Sequence, residues 1–148
     1  MKRVVVTGIG VVTPLACGTN ESWYKLINSE SGIRAITSFD VSDIPSKIAG
    51  QVPRSDHENA SSFGVFNPNE WIAPKDQRRM DTFIQYGLVA ASNAVEDSGW
   101  KPKEEKSLNR TGVMIGSGIG GLPEIEKSAK IVNEGNIRRL SPFFIPAS

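Results

Sequence analysis

Two short apolar runs, Val4–Thr7 and Gly112–Ile115, show no alternation of apolar and polar positions. A strand that is covered on both faces has this pattern, whereas a half-exposed strand alternates. Each run leads into a glycine-rich turn, at Gly8–Gly10 and at Gly116–Gly121. The pattern therefore predicts two buried strands that end in tight turns. A third, short strand is predicted at Ile48–Val52.

A first helical pattern follows the first glycine turn. Thr19 or Asn20 can cap this helix, and Gly32 can end it, because these residue types favour the two helix ends. The spacing puts three apolar residues on one face, which are Trp23, Leu26 and Ile27. We expect this face to be buried.

The longest helical pattern begins after Pro74 and ends at Gly99, a plausible C′ glycine. Its apolar face contains Met80, Phe83, Ile84, Gly87, Leu88, Ala91, Ala94 and Val95. Its small residues allow close packing against another element, and they are Gly87, Ala90, Ala91 and Ala94. A later helix is predicted to start at Pro123, with Glu124 and Glu126 in the first turn, where the helix dipole favours acidic groups.

Two segments fit no regular element. Residues 53–69 form a long stretch without periodicity, and we interpret it as a surface insertion rather than a functional flap. Phe63, Val65 and Phe66 can pin its end. Residues 141–148 are apolar, although a free terminus is normally polar. We therefore expect this chain to be a piece of a longer protein, with a short docked tail as the alternative.

Composition restricts the classes of function. The 148 residues, 39% hydrophobic and 22% charged, suit one globular domain with its own core. The net charge of +1 gives no indication of binding to nucleic acid or anionic lipid. Cys17 and His57 are the one cysteine and the one histidine, so neither a disulfide nor a Cys/His metal cluster is expected. Gly8, Gly10 and Pro14 interrupt the first apolar run, which argues against a signal peptide and predicts a cytoplasmic protein.

The second glycine turn suggests the hypothesis of a dinucleotide-binding site. Gly116, Gly118 and Gly121 satisfy the G-x-G-x-x-G pattern of dinucleotide-binding loops. Such a loop also needs an acidic residue at the end of a strand about 20 residues further on. Glu134 lies near that distance, but no predicted strand carries it. Dinucleotide binding is therefore the weaker interpretation, and Ile119, the one bulky residue beside these glycines, projects either into a cavity or into the core.

Four motifs in this order resemble the β-ketoacyl-[acyl carrier protein] synthases. They are VVVTGIGVVTP at 4–14, MDTFIQY at 80–86, GSGIGG at 116–121 and SPFFIP at 141–146. The resemblance covers nearly all of the chain, with residues 53–69 as the main departure. The order and spacing of the motifs resemble those of the type II condensing enzyme of bacterial fatty acid elongation. The bulk of Ile119 also favours type II over the similar type I synthase, which tends to have glycine there.

The resemblance implies an α/β, thiolase-like fold with αβαβα layers, of which residues 1–148 would form the first-half portion. Members are homodimers that take an acyl chain from acyl carrier protein onto a cysteine. They condense it with malonyl-carrier protein, release CO₂ and need no cofactor. Two histidines stabilise the thioester oxyanion and the enolate. The cysteine and both histidines would lie beyond Ser148, so no catalytic residue and no metal ligand is expected here. Cys17 is then a passive small residue and His57 a solvated loop residue.

By resemblance, this chain contributes binding surfaces. The acyl pocket would be bordered by Ile119, Phe144 and Ile145. The dimer interface would contain Phe143, Phe144 and Ile145. Acyl carrier protein would meet five basic residues, which are Lys75, Arg78, Arg79, Arg138 and Arg139. Without the resemblance, charge alone favours a solvated helix or loop face for these residues.

Three functions remain open from the sequence. The chain is part of a fatty-acid condensing enzyme, or a short non-catalytic protein that uses the same half-fold for protein interaction, or a dinucleotide-binding domain. The coding sequence after Ser148 would distinguish the first from the second, and titration with NADH would test the third.

Overall fold

The computed structural model of the chain describes residues 3–55 and 63–148. These residues fall into two units. The first contains the described residues up to Trp71 together with Val89–Gly99, and the second contains Ile72–Leu88 and Trp100–Ser148. His57 and the central part of the predicted insertion lie outside the described residues.

Helices make up most of the regular structure. The α-helices are α1 (Thr19–Ile27), α2 (Pro74–Gln77), α3 (Thr82–Ser98), α4 (Glu105–Leu108), α5 (Leu122–Asn133) and α6 (Phe144–Ala147). The strands are β1 (Ile33–Ala35) and β2 (Ile48–Gly50), and 3₁₀ turns lie at Pro68–Glu70 and Ile137–Arg139.

In the first unit, β1 and β2 form an antiparallel pair. Ile33 lies opposite Gly50, and Ala35 lies opposite Ile48. The predicted strand at Ile48–Val52 is thus confirmed with a shorter length. β1 was not predicted because three residues with a central arginine give no periodicity, and so short a strand is defined by its partner.

The predicted buried strands at Val4–Thr7 and Gly112–Ile115 are wrong for the described residues. Neither segment has strand structure. Their side chains face solvent, with Val4 95% and Met114 98% exposed. A non-alternating apolar run indicates side chains suited to burial on both faces, but the burial itself needs partner strands and covering layers. Among the described residues, the sheet contains β1 and β2 alone.

The ends of α1 differ from the prediction. The N-cap position is Gly18, which has no side chain to cap the helix. The Thr19 hydroxyl instead donates to the Ile9 carbonyl oxygen at 3.0 Å, which ties α1 to the first glycine turn. The helix ends at Ile27, well before the predicted end at Gly32.

The predicted buried face of α1 is also wrong. Trp23, Leu26 and Ile27 are more than half exposed, whereas Ser22 is buried. The Ser22 hydroxyl donates to the carbonyl oxygen of Ala16, which is fully buried, at 3.1 Å. The loop before α1 presents backbone carbonyl groups, so a hydroxyl suits the contact better than an apolar side chain.

The first glycine turn lies against the backbone of α3. A Cβ atom at Gly8 would overlap the Ala94 carbonyl oxygen, and one at Gly10 would overlap the Ala90 carbonyl oxygen. Two of the small residues predicted on this helix, Ala90 and Ala94, therefore receive a closely packed neighbour, whereas Gly87 has open space. Both glycines are required because two backbones approach each other directly.

Phe66 pins the end of the predicted insertion. Its side chain is fully buried. Its amide donates to the Pro53 carbonyl at 2.8 Å, and its carbonyl accepts from the Ser55 amide at 2.9 Å. Phe63 is exposed, although its ring meets Tyr24 edge-to-face at 5.7 Å. Phe66 thus confirms the predicted anchor.

The long helix predicted after Pro74 is interrupted, so that α2 and α3 are separate. Asp81 stands directly before α3, and its Oδ1 accepts the amide of the adjacent Thr82, the first residue of the helix. Gly99 follows α3 with φ +63°, as predicted for a C′ glycine. Pro123 lies in the first turn of α5, also as predicted.

Gly10→Ala should lower the free energy of unfolding by about 2 kcal/mol, because the added methyl group meets the backbone of α3. Gly87→Ala is the matched control in α3, where the same methyl group has open space. We expect it to raise the free energy of unfolding by roughly 0.5–1 kcal/mol, since glycine weakens a helix interior. Urea unfolding measures both. An unchanged midpoint for Gly10→Ala would contradict the close packing of the turn.

Candidate functional site

The second glycine turn has an open half and a packed half. Gly116 and Gly118 have no neighbouring atoms near the position of a Cβ. A Cβ at Gly120 would meet the ring of Phe83, and Gly121 has φ +64° and lies against the backbone of Ser148. The glycines with a steric requirement are therefore Gly120 and Gly121.

The start of α5, directly after this turn, is occupied by a carboxylate. Pro123 has no amide hydrogen, and the Ile125 amide bonds to the Gly121 carbonyl at 2.8 Å. The Glu124 amide donates to Asp81 Oδ2 at 3.3 Å. A pyrophosphate bound at this helix start would have to displace the Asp81 carboxylate or lie beside its negative charge. The arrangement argues against dinucleotide binding at the G-x-G-x-x-G pattern.

Ile119 projects away from the packed half of the turn. Its side chain is 78% exposed. The interpretation of Ile119 as a core residue is therefore wrong within the described residues. It presents a bulky apolar group to the outside.

Three of the predicted carrier-protein contacts meet one of the predicted interface residues. Lys75, Arg78, Arg79 and Phe143 line a cavity of about 420 Å³, which we call the basic groove. The Arg79 guanidinium carbon lies 4.7 Å from the centroid of the Phe143 ring. This cation–π contact holds Arg79 over an apolar surface while the groove keeps its positive charge.

The other predicted site residues lie outside the basic groove. Arg138 and Arg139 are exposed in the 3₁₀ turn Ile137–Arg139. Phe144 is half-buried in α6, and Ile145 beside it is 77% exposed. Lys75, Arg78 and Arg79 thus lie beside Phe143, whereas Arg138 and Arg139 form a separate exposed pair.

Cys17 has the environment of an unreactive thiol. It lines a cavity of about 520 Å³ in the first unit, together with the carboxylates of Glu21 and Glu70. Burial, and then the charges of Glu21 and Glu70, raise the pKa of the Cys17 thiol. A raised pKa disfavours the thiolate, which is the nucleophilic form. This agrees with a passive residue at the start of α1.

In the part of the chain that the structure describes, no group of three or more His, Cys, Asp or Glu side chains could hold a metal ion. Among the same residues, no helix has the length and apolar character needed to cross a membrane.

Comparison with known proteins decides the family. Residues 1–148 match the family described as "Beta-ketoacyl synthase, N-terminal domain". This chain belongs to the β-ketoacyl synthase family. It is 47% identical over 146 residues to 3-oxoacyl-[acyl-carrier-protein] synthase 2 of Rhizobium meliloti (strain 1021), which covers 99% of this chain. It is 40% identical over 159 residues to the mitochondrial 3-oxoacyl-[acyl-carrier-protein] synthase of Arabidopsis thaliana, which covers 98% of this chain.

A solved structure confirms the expected fold class. The ishigamide ketosynthase/chain length factor matches with a TM-score of 0.71 and 26% sequence identity over 99% of this chain. The fold is therefore α/β and thiolase-like, as the resemblance implied. The chain spans about a third of these relatives: 34% of the Rhizobium protein, 33% of the Arabidopsis protein and 34% of the solved chain.

Asp81 was not among the residues that the sequence predicted to lie at the site. Its place directly before an apolar helical pattern is a signal for an N-cap, which could have been used. Its second partner, the Glu124 amide, is 43 residues away in the sequence. No local pattern indicates a contact at that separation.

The raised pKa of the Cys17 thiol predicts that its alkylation requires a higher pH in the folded chain than in the unfolded chain. The pH at which alkylation by iodoacetamide is half-maximal should be higher in the folded chain than in the urea-unfolded chain. Glu21→Gln should lower it only part of the way, because burial is the larger cause. If Cys17 is half-alkylated at a lower pH in the folded chain than in the urea-unfolded chain, its passive role is contradicted.

Proposed function

We propose that the protein containing this chain is a 3-oxoacyl-[acyl-carrier-protein] synthase of fatty acid biosynthesis. It would elongate an acyl chain carried by acyl carrier protein, using malonyl-carrier protein and releasing CO₂. The observation that carries the proposal is the match over nearly the whole chain to relatives with that name, at 47% identity for the Rhizobium protein. The route to bond formation is decarboxylation of the malonyl group to an enolate, which attacks the acyl thioester on a cysteine.

In this proposal the chain provides binding surfaces and the remaining sequence provides the catalytic groups. By resemblance, the nucleophilic cysteine and both histidines follow Ser148. Ile119, Phe144 and Ile145 would border the acyl pocket. Phe143, Phe144 and Ile145 would lie at the interface of a homodimer. The exposure of Ile119 and Ile145 supports these roles, because apolar side chains of that size need a cover.

The basic groove supplies the support for acyl carrier protein as the partner. Lys75, Arg78 and Arg79 place three cations beside one aromatic ring in a chain with a net charge of +1. A local positive patch on a nearly neutral protein attracts an acidic partner without general anion binding. Arg138 and Arg139 would form a second, smaller contact with the same partner.

A non-catalytic role in protein interaction is the second candidate. The exposed apolar runs at Val4–Val6 and Val113–Ile115 favour it, because both could be covered by another polypeptide. The compartment stays a prediction, since the relatives include bacterial proteins and a mitochondrial one.

The two candidates are separated by a condensation assay on the natural protein that contains this chain. Acyl-carrier protein and malonyl-carrier protein are supplied, and the CO₂ and the 3-oxoacyl product are measured. Formation of both in equal amounts supports the condensing enzyme. A protein that binds acyl carrier protein but releases no CO₂ would be the non-catalytic candidate.

Arg78→Glu combined with Arg79→Glu should weaken the binding of acyl carrier protein, most strongly at low salt, where screening is weakest. Lys101→Glu combined with Lys103→Glu is the matched control, because both residues are exposed outside the basic groove and the change in net charge is the same. Titration by isothermal calorimetry at two salt concentrations measures the effect. Equal weakening in both double variants would assign the effect to net charge rather than to the groove.

Ile119→Phe should reduce the use of long acyl chains more than that of short ones, because a larger side chain narrows the entrance to the pocket. Ile119→Val, which removes one methylene group, should leave the preference close to that of the wild type. The measurement is kcat/KM for hexanoyl- and tetradecanoyl-carrier protein. An unchanged ratio for Ile119→Phe would remove Ile119 from the pocket.

A further inference from the structure

Asp81 in the second unit connects three segments. Its Oδ1 accepts the Thr82 amide at the start of α3. Its Oδ2 accepts the Glu124 amide in the first turn of α5 at 3.3 Å. Its own backbone amide donates to the Ala147 carbonyl at 3.2 Å, in the last turn of α6. One residue therefore holds the beginnings of two helices and the end of a third.

The turn that carries Ile119 has few restraints of its own. Gly116 and Gly118 have open space around them, and glycine permits a wide range of backbone angles. The orientation of Ile119 thus depends on the packed half of the turn, where Gly120 meets the Phe83 ring and the far end is held as well. That end is Gly121, which packs against the backbone of Ser148 and directly precedes α5.

We propose that Asp81 is a positioning residue that fixes the orientation of Ile119 and so sets the preference for acyl chain length. Asp81 acts through its hydrogen bonds to both the start of α5 and the end of α6. The proposal rests on the proposed function, in which Ile119, Phe144 and Ile145 border the acyl pocket. Asp81 itself touches none of the reacting atoms in this role.

The contacts require a carboxylate. Each oxygen of Asp81 accepts a different amide, and the negative charge lies beside the starts of both α3 and α5, where the helix dipoles favour it. Asparagine has one acceptor oxygen, and its amide group would face an N–H donor at the other position. Asp81→Asn therefore loses one bond and the charge with little change in volume, and Asp81→Ala loses both bonds.

The test compares wild type, Asp81→Asn and Asp81→Ala in the natural protein that contains this chain. The ratio of kcat/KM for tetradecanoyl- and hexanoyl-carrier protein should change by about fivefold or more in Asp81→Ala and by less in Asp81→Asn. Hydrogen exchange at the Glu124 amide and along residues 116–121 should become faster in both variants. If Asp81→Ala does not fold, Asp81→Asn alone decides the outcome.

Asp97→Asn is the matched control. Asp97 also accepts a loop amide on its carboxylate, from Ile9 at 2.8 Å, but it lies in the first unit. We expect Asp97→Asn to lower the thermal midpoint and to leave the chain-length ratio unchanged. A shift of the ratio in Asp97→Asn as large as in Asp81→Asn would overturn the proposal, because selectivity would then follow general stability.

The proposed function and the positioning role of Asp81 are overturned by different results. A wild-type protein that condenses neither substrate overturns the proposed function and, with it, the role of Asp81 in selectivity. A wild-type protein that condenses both substrates, while the Asp81 variants keep the ratio within about twofold, overturns the positioning role alone.

Discussion

The first amides of an α-helix have no partner within the helix, so an acceptor has to come from elsewhere in the protein. In the second unit a single carboxylate meets this need for two helices, because Asp81 accepts one amide from α3 and one from α5. The backbone amide of the same residue holds the end of α6. This geometry closes the start of α5 to an anionic ligand and leaves the preceding turn, with Ile119, pointing outward.

The first unit uses a related arrangement near the other end of α3. Asp97 accepts the Ile9 amide, and Gly8 and Gly10 let the turn lie directly on the helix backbone. In the first unit the glycines are explained by close packing of backbones, which needs no bound nucleotide.

The sequence predicted features that depend on a few neighbouring residues. Gly99 has the positive φ expected after a helix, Pro123 lies in the first turn of α5, and a strand occurs at Ile48–Gly50. Phe66 anchors the end of the predicted insertion. These signals succeeded because each follows from the conformational limits of the residue itself or from an immediate apolar run.

Predictions of burial failed wherever the cover had to come from outside the predicted element. The apolar runs at Val4–Thr7 and Gly112–Ile115 have strand composition, but a strand exists only through its hydrogen-bonded partner. The face of α1 that is buried carries Ser22, since the neighbouring loop offers a carbonyl group. In both cases the deciding atoms belong to another part of the polypeptide.

The sequence by itself determined the family, through four motifs in a fixed order, and it predicted which residues border the candidate site. Only the tertiary structure joined Lys75, Arg78 and Arg79 to Phe143 in one groove and assigned Asp81 to the start of α5. It also decided which glycines of the second turn are packed. The physical reason is that motif identity is local chemistry, whereas a hydrogen bond or a cavity depends on atoms brought together across long stretches of chain.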